Sequence, residues 1–298
     1  MKYYLGIDGG GTRTTAAVSD ENGKILLKTA GGTINFYSVG MQKARHNLAE
    51  IINKIHSELG VVSFAAAFIG CSALDNEADE KLTSELCADV IKAEKIKLHS
   101  DVYIALRAVG TDKCPCVAIC GTGSIALCED SDGKTYVSGG WGHIIGDEGS
   151  AYAIATEALK ICCIMSDKEE KSALLESANA FFGVENFRQA IDIIYSPETA
   201  KDKIAGFAGE VGRLAVEGDI VSVQIISRQA FAFAQTVAVL LRKNSCCTVL
   251  GLYGGVFQHN EMFTEYFKER IKAEFAHLEI KLITTPPEES ALVCAREL

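Results

Sequence analysis

The stretch that decides the fold is Leu5-Gly6-Ile7-Asp8-Gly9-Gly10-Gly11-Thr12-Arg13-Thr14-Thr15, in which apolar residues lead into an acid, three glycines and a cluster of hydroxyls. Glycine lets backbone N–H groups approach an anion closely, and threonine adds hydroxyl donors. The residues that follow are short and β-compatible, and they end in an Asp20-Glu21-Asn22-Gly23 turn. The pattern therefore predicts a phosphate-binding hairpin whose glycine loop joins two strands.

Two other phosphate-binding loops do not fit this stretch. A P-loop requires Gly-x-x-x-x-Gly-Lys-Ser/Thr, and no segment of the chain supplies it. A dinucleotide-binding loop requires Gly-x-Gly-x-x-Gly at the start of a helix, whereas strand-forming residues follow the glycines here. The hairpin interpretation is therefore retained.

Length and composition predict a folded chain of two domains. The 298 residues are 48% hydrophobic, which suffices for a full core. The sequence has no run of 18 apolar residues and no signal-peptide pattern, so we expect a cytosolic protein that does not cross a membrane. A net charge of -10 argues against nucleic acid as a partner.

The 11 cysteines are read as reduced thiols that behave as small buried hydrophobes. Cys116 and Cys120 alternate with Ala118 along a predicted strand, which favours core packing over a metal cluster. The adjacent pairs Cys162-Cys163 and Cys246-Cys247 lack the two-residue spacing of zinc and redox motifs.

Hydrophobic periodicity gives the first half of the chain a βββαβαβα order, which is one domain of an α/β protein. We expect an N-terminal domain over residues 1–112 and a larger C-terminal domain over residues 113–298, with the last helix, residues 288–298, packed on the first domain. Further on, a helix is predicted over 184–194. The longest predicted helix of the first domain carries a buried stripe at Ala44, Leu48, Ile51, Ile52, Ile55 and Leu59.

The opening pattern returns at a fixed shift of 110 residues. Gly11-Thr12 is followed by Gly23-Lys24, and Gly121-Thr122 is followed at the same offset by Gly133-Lys134. The repeat predicts two related domains, each with a phosphate hairpin facing a shared cleft. At this shift Asp8 falls opposite Ala118, so the acid is not needed to form the hairpin and is a candidate for chemistry.

Two further glycine-rich segments follow the second hairpin. One is Gly139-Gly140-Trp141-Gly142-His143-Ile144-Ile145-Gly146-Asp147-Glu148-Gly149-Ser150, whose five glycines indicate backbone packed close to a ligand. The other is Gly254-Gly255-Val256-Phe257 after a predicted strand, where open α/β sheets place ligands.

Taken together, these motifs resemble the two phosphate motifs and the adenosine motif of the actin, heat-shock chaperone and sugar kinase superfamily. The segment from Gly140 to Tyr152 is similar to the signature of the N-acetylglucosamine kinase family, which belongs with the BadF/BadG/BcrA/BcrD-type ATPases. The segments Ser100–Leu106 and Lys203–Phe207 are similar to that family's catalytic-aspartate segment and its adenine-side helix. The resemblance covers nearly the whole chain and implies two related actin/ribonuclease H-like domains that flank a nucleotide and sugar cleft.

The resemblance also implies roles for individual residues. Asp8 would hold Mg²⁺ through water, and Asp101 would be the base that takes the proton of the attacking sugar hydroxyl. Thr12 and Thr122 would contact the phosphates of ATP. The whole set implied for ATP is Gly10, Gly11, Thr12, Thr122, Gly206, Gly254 and Gly255. The set implied for the sugar is Asn35, Gly123, Ser124, Gly140, Trp141, Gly142 and Asp147.

Structural roles compete at several of these positions. Asp101 and Asp147 each precede a predicted helix and could be its N-cap. Asn35 could simply hold a turn, and Trp141 could be a core or interface residue. Ile125 departs from the polar Asn of mammalian members, which leaves the identity of the sugar open.

The implied activity is transfer of the γ-phosphate of ATP to a hydroxyl, expected to be the 6-hydroxyl, of an N-acetylated amino sugar. N-acetylglucosamine is the expected substrate, N-acetylmuramic acid is a further candidate, and a homodimer is expected. Three alternatives stay open: an ATPase that activates a reductase through a shared iron–sulfur cluster, a glucosamine or glucose kinase, and a sugar sensor without turnover.

Overall fold

The computed structural model describes residues 2–60, 63–110, 114–196 and 199–298. These residues divide into two compact units. The first unit holds residues 2–110 together with Thr284–Leu298, and the second holds described residues between 114 and 283. The predicted boundary between residues 112 and 113 lies outside the described residues.

The first unit is a mixed sheet with helices. Its elements are β1 (Tyr3–Gly9), β2 (Arg13–Asp20), β3 (Ile25–Gly32), α1 (Phe36–Val39), α2 (Met41–Leu59), β4 (Phe64–Cys71), α3 (Glu80–Cys87), β5 (Ala93–His99), α4 (Asp101–Ala108) and, from the end of the chain, α13 (Pro287–Arg296). The strand order is β3-β2-β1-β4-β5. β1 runs antiparallel to β2 and parallel to β4, so the predicted hairpin is confirmed.

The predicted amphipathic helix of this unit is α2. Its stripe of apolar residues is buried against Leu5, Ile7 and their neighbours on one face of the sheet, and Gly60 follows the last helical residue. Period-3.6 burial of this kind is what the sequence pattern requires of a helix that covers one face of a sheet.

The second unit repeats this sheet and adds a large helical insertion. Its elements are β6 (Cys116–Cys120), β7 (Ser124–Glu129), β8 (Thr135–Gly139), α5 (Ala151–Asp167), α6 (Ala173–Phe182), a 3₁₀ turn (Phe187–Gln189), α7 (Ala190–Ile194), α8 (Lys201–Ala205), α9 (Phe207–Val216), α10 (Ile220–Lys243), β9 (Val249–Tyr253), α11 (Gly255–His259), α12 (Glu261–Glu274) and β10 (Glu279–Leu282). The strand order is β10-β9-β6-β7-β8, with β6 antiparallel to β7 and parallel to β9.

The two sheets have the same topology, which confirms the predicted fold class of two related α/β domains. The turn after the second strand of each unit is also built in the same way. The Asp20 carboxylate accepts the N–H of Lys24 at 2.9 Å, and the Asp130 carboxylate accepts the N–H of Lys134 at 2.9 Å. Each acid thus closes an Asx-type turn before its glycine.

The repeat is not ungapped, however. Asp8 pairs with Thr15 in the first hairpin, and Ile119 pairs with Ile125 in the second. Because Thr15 and Ile125 are separated by the 110-residue shift, the structural counterpart of Asp8 is Ile119, and the expected match with Ala118 is wrong. The cause is the loop of the first hairpin, which is one residue longer than that of the second.

One predicted helix is much shorter than expected. The segment 184–194 forms a 3₁₀ turn and then the five-residue α7. The Asn186 side chain accepts the N–H of Arg188, and the Gln189 side chain accepts the backbone N–H of Asn186, so this capping box starts the helical structure at Phe187, three residues later than the apolar pattern suggested.

The helix at the end of the chain, α13, packs closely on β1 of the first unit. The approach requires Gly6, because a Cβ built there would clash with the Glu288 carbonyl oxygen and the Leu292 nitrogen. Pro287 occupies the first position of this helix, where its missing N–H costs nothing. Gly6 thereby allows the start of α13 to pack on one face of the sheet. Asp8, two residues after Gly6 on β1, lies on the same face.

The cysteines are mostly core residues. Cys116 and Cys120 are buried in the core of the second unit, as expected from their spacing. Cys114 and Cys246 form a disulfide, so the expectation of reduced thiols is wrong for this pair. Within the described ranges, no group of three or more His, Cys, Asp or Glu side chains is arranged to hold a metal ion.

Helix α10 is long and apolar enough to cross a membrane by length and composition alone. Its residues Phe233 and Val237 are fully buried inside the second unit, where Phe233 packs against Phe257 and Phe267. These contacts are those of a core helix.

The close approach at Gly6 gives a test of the fold. We expect Gly6→Ala to lower the free energy of unfolding by about 1–3 kcal/mol, because the added methyl collides with helix backbone that has no space to retreat into. Urea unfolding of the two proteins measures the difference. Gly209→Ala is the control, because this exposed glycine in the first turn of α9 has open space for a methyl group and alanine is the better helix former. Equal midpoints for Gly6→Ala and the parent would contradict the packing of α13 described above.

Candidate active site

Three residues lie side by side across the first sheet, near the C-terminal end of β1. Asp8 pairs with Thr15 on β2 and with Gly70 on β4. Residues directly opposite one another on neighbouring strands point to the same face of a sheet. The Asp8 carboxylate therefore lies between the Thr15 side chain and the bare Cα of Gly70.

Asp101 lies on the same face, next to Gly70. A Cβ built on Gly70 would lie 3.1 Å from the Asp101 Cα. The N-cap of α4 is Ser100, whose hydroxyl accepts the N–H of Tyr103 at 3.4 Å, and Asp101 is the first residue of the helix. The alternative that Asp101 is the N-cap of this helix is therefore wrong.

A third carboxylate, that of Glu288 at the start of α13, faces the same group. Glu288 is 9% exposed, its Oε2 accepts the Thr15 hydroxyl at 3.2 Å, and its Oε1 lies 3.3 Å from the Lys28 ammonium. Sequence reasoning missed this residue, because an acid in the first turn of a C-terminal helix reads as an ordinary surface residue.

Two of these acids have raised pKa values. Burial raises the pKa of Asp8 from 3.8 to about 7, with further contributions from the negative charges of Asp101 and Glu288. Burial also raises the pKa of Asp101 from 3.8 to about 6, and backbone N–H groups at the start of α4 oppose that shift. Excess negative charge thus gathers on one face at the ends of the strands, which is typical of a functional site.

The donor set at this face suits Mg²⁺. Hard oxygen ligands are those that this ion prefers, and it keeps several of its waters, so it binds well to one or two carboxylates and needs no closed cage. A cation would also offset the repulsion that raises the Asp8 pKa. Asp8, the acid between the other two, is the residue best placed to hold it.

The first glycine loop lies at the end of the same strand. Gly10, Gly11 and Thr12 form the connection between β1 and β2, and Gly11 and Thr12 are exposed. The Thr33 hydroxyl donates to the Gly10 carbonyl at 2.7 Å and holds one side of the loop.

Asn35 has the structural role that competed with sugar binding. Its Oδ1 accepts the N–H groups of Tyr37 and Ser38, both at 3.1 Å, and so caps α1. Its Nδ2 donates to the Ser72 hydroxyl at 3.0 Å. An amide carries two N–H donors, so this nearly buried side chain can hold the turn and still offer a hydrogen to a ligand.

The second glycine loop, Gly121-Thr122-Gly123, belongs to the second unit and borders a cavity of about 670 Å³. The opposite walls come from α8, α9 and α11. The lining includes Asp202, Gly206, Gly209, Gly212, Gly255, Val256, His259 and Asn260. The volume and the small, mostly apolar lining suit a nucleoside, and Thr122 lies at the edge where phosphates would follow. Gly206 and Gly255 thus line one cavity, and Gly254 directly precedes Gly255.

Asp147 lies beside the same loop. A Cβ built on Gly123 would lie 2.8 Å from Asp147 Oδ2, so only glycine leaves space for this carboxylate. Asp147 is 5% exposed, and its Oδ2 accepts the Lys201 ammonium at 3.1 Å. The cap of α5 is Ser150, which accepts the N–H of Ala153, so the alternative that Asp147 is the cap is wrong. Sequence reasoning missed Lys201, because nothing local marks a lysine that pairs across 54 residues.

The remaining sugar-set residues lie in the segment 139–150 or contact it. The Ser124 hydroxyl donates to the Glu148 carbonyl at 2.7 Å and ties the second hairpin to this segment. Ile125 packs against Gly140, which explains how an apolar residue is accommodated there. Trp141, with Gly142 next to it, is 74% exposed within the second unit. The alternative that Trp141 is a core residue is therefore wrong.

The sequence of the chain matches the BadF/BadG/BcrA/BcrD ATPase family over residues 5–292. It is similar to the N-acetylmuramic acid/N-acetylglucosamine kinase of Clostridium acetobutylicum, with 29% identity over 302 residues that cover 99% of both chains. It is also similar to the N-acetyl-D-glucosamine kinase of Dictyostelium discoideum, with 26% identity over 99% of this chain and 98% of that one.

Solved structures share the fold. A candidate N-acetylglucosamine kinase of Chromobacterium violaceum superposes with a TM-score of 0.77 at 20% identity and 98% coverage of both chains. A ROK family glucokinase of Streptomyces griseus, in complex with glucose and AMPPNP, superposes with a TM-score of 0.62 at 16% identity, covering 99% of this chain and 100% of that one. At these identities the likeness shows the fold.

The raised pKa of Asp8 predicts a pH-dependent cost in stability. From pH 3.8 to about 7 the folded chain keeps a proton that the unfolded chain has released, so the free energy of unfolding falls as the pH rises through this window. Asp8→Asn removes that cost. We expect it to raise the melting temperature at about pH 8 by at least about 2–4 °C and to have little effect near pH 4.

Melting curves at both pH values measure this difference. The control is Asp132→Asn, which removes an exposed carboxylate in a turn and should leave the melting temperature unchanged at both. An Asp8→Asn variant that is less stable than the parent at about pH 8 would contradict the account that burial, together with the charges of Asp101 and Glu288, disfavours the Asp8 carboxylate.

Proposed function

Because the chain belongs to the BadF/BadG/BcrA/BcrD ATPase family, we propose that it is an ATP-dependent sugar kinase that transfers the γ-phosphate of ATP to the 6-hydroxyl of an N-acetylated amino sugar. The observation that carries the proposal is the placement of Asp101 beside Asp8 on one face of the first sheet. Phosphoryl transfer to a hydroxyl needs a base for the acceptor and neutralisation of the phosphate charge, and the two acids suit these two tasks.

Asp101 is the proposed general base. A carboxylate with its pKa raised to about 6 is still mostly ionised at neutral pH, yet it accepts a proton more readily than an ordinary aspartate does. Its place at the start of α4, packed against Gly70, sets it close to Asp8, whose pKa the Asp101 charge helps to raise.

Asp8 is the residue proposed to hold Mg²⁺ through water, with Glu288 close by. Mg²⁺, when bound, neutralises the phosphate oxygens of the nucleotide. Asp8 is suited to this role because a nearby cation stabilises the carboxylate that its present surroundings push toward protonation. Thr15 and Lys28 hold Glu288 in place, so the group is fixed before any ligand arrives.

The cavity of the second unit is the proposed site for the adenosine of ATP. Gly206 and Gly255 line it, and Gly254 precedes its α11 wall. The two glycine loops are proposed to bind the phosphates of ATP through backbone N–H and hydroxyl groups. The residues involved are Gly10, Gly11 and Thr12 in the first loop and Thr122 in the second loop.

Several polar and aromatic residues are proposed to bind the sugar. Asn35 would offer its remaining amide hydrogen, and Asp147 would accept a sugar hydroxyl, as buried carboxylates do in sites that read polar ligands. Trp141 presents an exposed aromatic face of the kind that packs on a sugar ring. The remaining residues proposed for this pocket are Gly123, Ser124, Gly140 and Gly142.

N-acetylglucosamine is the substrate we favour, because both curated relatives named above are kinases of this sugar. N-acetylmuramic acid is a second candidate, supported by the name of the first relative. The predicted homodimer and the cytosolic location remain predictions. The iron–sulfur alternative is not favoured, since both curated relatives named above are sugar kinases.

Replacing the proposed base tests the mechanism. We expect Asp101→Asn to lower kcat by at least about a hundredfold while ATP and sugar still bind, because the isosteric amide cannot accept a proton. Steady-state ADP release with N-acetylglucosamine gives kcat, and calorimetry gives the two dissociation constants. Asp79→Ala, which removes the cap of α3 in the same unit, is the control for a general loss of stability. A kcat for Asp101→Asn within about threefold of the parent would contradict the role of Asp101.

A further inference from the structure

Asp147 is held in a conformation that needs an outside partner. Its φ of 62° lies in the left-handed region, which a residue with a side chain seldom adopts without compensation. The carboxylate is also buried, and a buried charge is tolerated only when it is paired and hydrogen-bonded. Something must therefore fix this side chain.

Lys201 is the cation that meets this need. Its ammonium donates to Asp147 Oδ2 at 3.1 Å and lies 5.6 Å from the centre of the Tyr152 ring. The Tyr152 ring packs edge-on against His143 at 4.8 Å, so the lysine is braced against the segment 139–150 that carries Asp147. The Lys201 side chain is 32% exposed, whereas that of Asp147 is 6% exposed.

The two oxygens of Asp147 have different surroundings. Oδ2 accepts from Lys201 and also lies against the backbone of Gly123. Oδ1 makes no hydrogen bond to the described residues. A carboxylate has two oxygens that accept hydrogen bonds, so the pairing of Oδ2 leaves Oδ1 for a donor from outside the protein.

We propose that Lys201 is a positioning residue of the sugar site, which pins Oδ2 of Asp147 so that Oδ1 faces the substrate hydroxyl. The inference rests on the proposed function, because that proposal gives Asp147 its role in sugar binding. Lys201 acts through Asp147 and touches neither the phosphate nor the reacting hydroxyl. Lys201 is also the first residue of α8, whose next residue, Asp202, lines the nucleotide cavity.

Removal of the ammonium has a definite consequence. Oδ2 of Asp147 then loses its hydrogen bond, and the buried carboxylate turns toward water. This movement misplaces Oδ1, so sugar binding weakens. The chemistry at Asp101 is unaffected once sugar is bound, and the walls of the nucleotide cavity remain in place.

The test compares Lys201→Met with Lys201→Arg and with Lys243→Met, which removes an exposed lysine at the end of α10 in the same unit. We expect Lys201→Met to raise the KM and the dissociation constant for N-acetylglucosamine at least about tenfold, with kcat and the KM for ATP within about threefold of the parent. Lys201→Arg should restore most of the sugar affinity, because arginine also pairs with a carboxylate. Lys243→Met should match the parent.

A double-mutant cycle shows whether Lys201 acts through Asp147. In an Asp147→Asn background, adding Lys201→Met should change the sugar dissociation constant by no more than about twofold. A further tenfold loss there, or unchanged sugar affinity in Lys201→Met alone, would overturn the inference. Melting curves of all variants identify any that are unfolded. If Lys201→Met is unfolded, Lys201→Arg provides the test, and loss of sugar affinity in a folded Lys201→Arg variant also overturns the inference.

The same measurements separate this inference from the proposed function. If the parent protein neither binds nor phosphorylates N-acetylglucosamine, N-acetylmuramic acid, glucosamine or glucose, the proposed function fails and the inference fails with it. If the parent phosphorylates one of these sugars and Lys201→Met does so with the same KM, only the inference fails.

Discussion

The structure of the first unit depends on the register between β1 and β4, which sets Asp8 directly beside Gly70. Because Gly70 has no side chain, Asp101 can approach the sheet there, and because Gly6 has none, α13 brings in Glu288. Three carboxylates therefore share one face, and Lys28 pairs with Glu288 and its neighbour Glu289. A fold selected for stability alone would not gather three carboxylates in this way, which supports the proposal that this face holds a cation.

The two units share one topology but differ in the residues at equivalent positions. In the second unit, the positions that correspond to Asp8, Thr15 and Gly70 are held by Ile119, Ile125 and Tyr253, as the strand registers show. The second unit thus has apolar and aromatic side chains at these three positions and no carboxylate at the position of Asp8. The second hairpin borders the nucleotide-sized cavity, and the long insertion between β8 and β9 supplies two of the helical walls of that cavity.

Much of the fold could be predicted from the sequence, because the signals were local. The glycine hairpins, the buried stripe of α2 and the Asp20 and Asp130 turns each depend on neighbouring residues. The one-residue difference in length between the two hairpin loops could not be predicted. An ungapped comparison of the two sequence repeats aligns their turns correctly, but it does not show that the strand before each loop is offset by one residue. The capping box at Asn186 and the disulfide between Cys114 and Cys246 also depend on geometry that periodicity does not report.

The residues of the candidate site also separate into those that the sequence could predict and those that it could not. Asp8, Asp101 and Asp147 could be proposed from motifs. Glu288, which lies near Asp8, and Lys201, which pairs with Asp147, come from distant parts of the chain and carry no motif. Long-range charge pairing is decided by tertiary packing, so a single sequence does not contain it in readable form. Lys201 holds the Asp147 carboxylate, and Glu288 adds to the negative charge around Asp8.

The fate of the γ-phosphate tests the central claim most directly. Phosphorus NMR of the protein with ATP, Mg²⁺ and N-acetylglucosamine distinguishes a sugar phosphomonoester from inorganic phosphate. The account predicts that a monoester signal grows in step with ADP and that its coupling to protons identifies the 6-position. Release of inorganic phosphate at the same rate with and without sugar, and no monoester with N-acetylglucosamine, N-acetylmuramic acid, glucosamine or glucose, would contradict it.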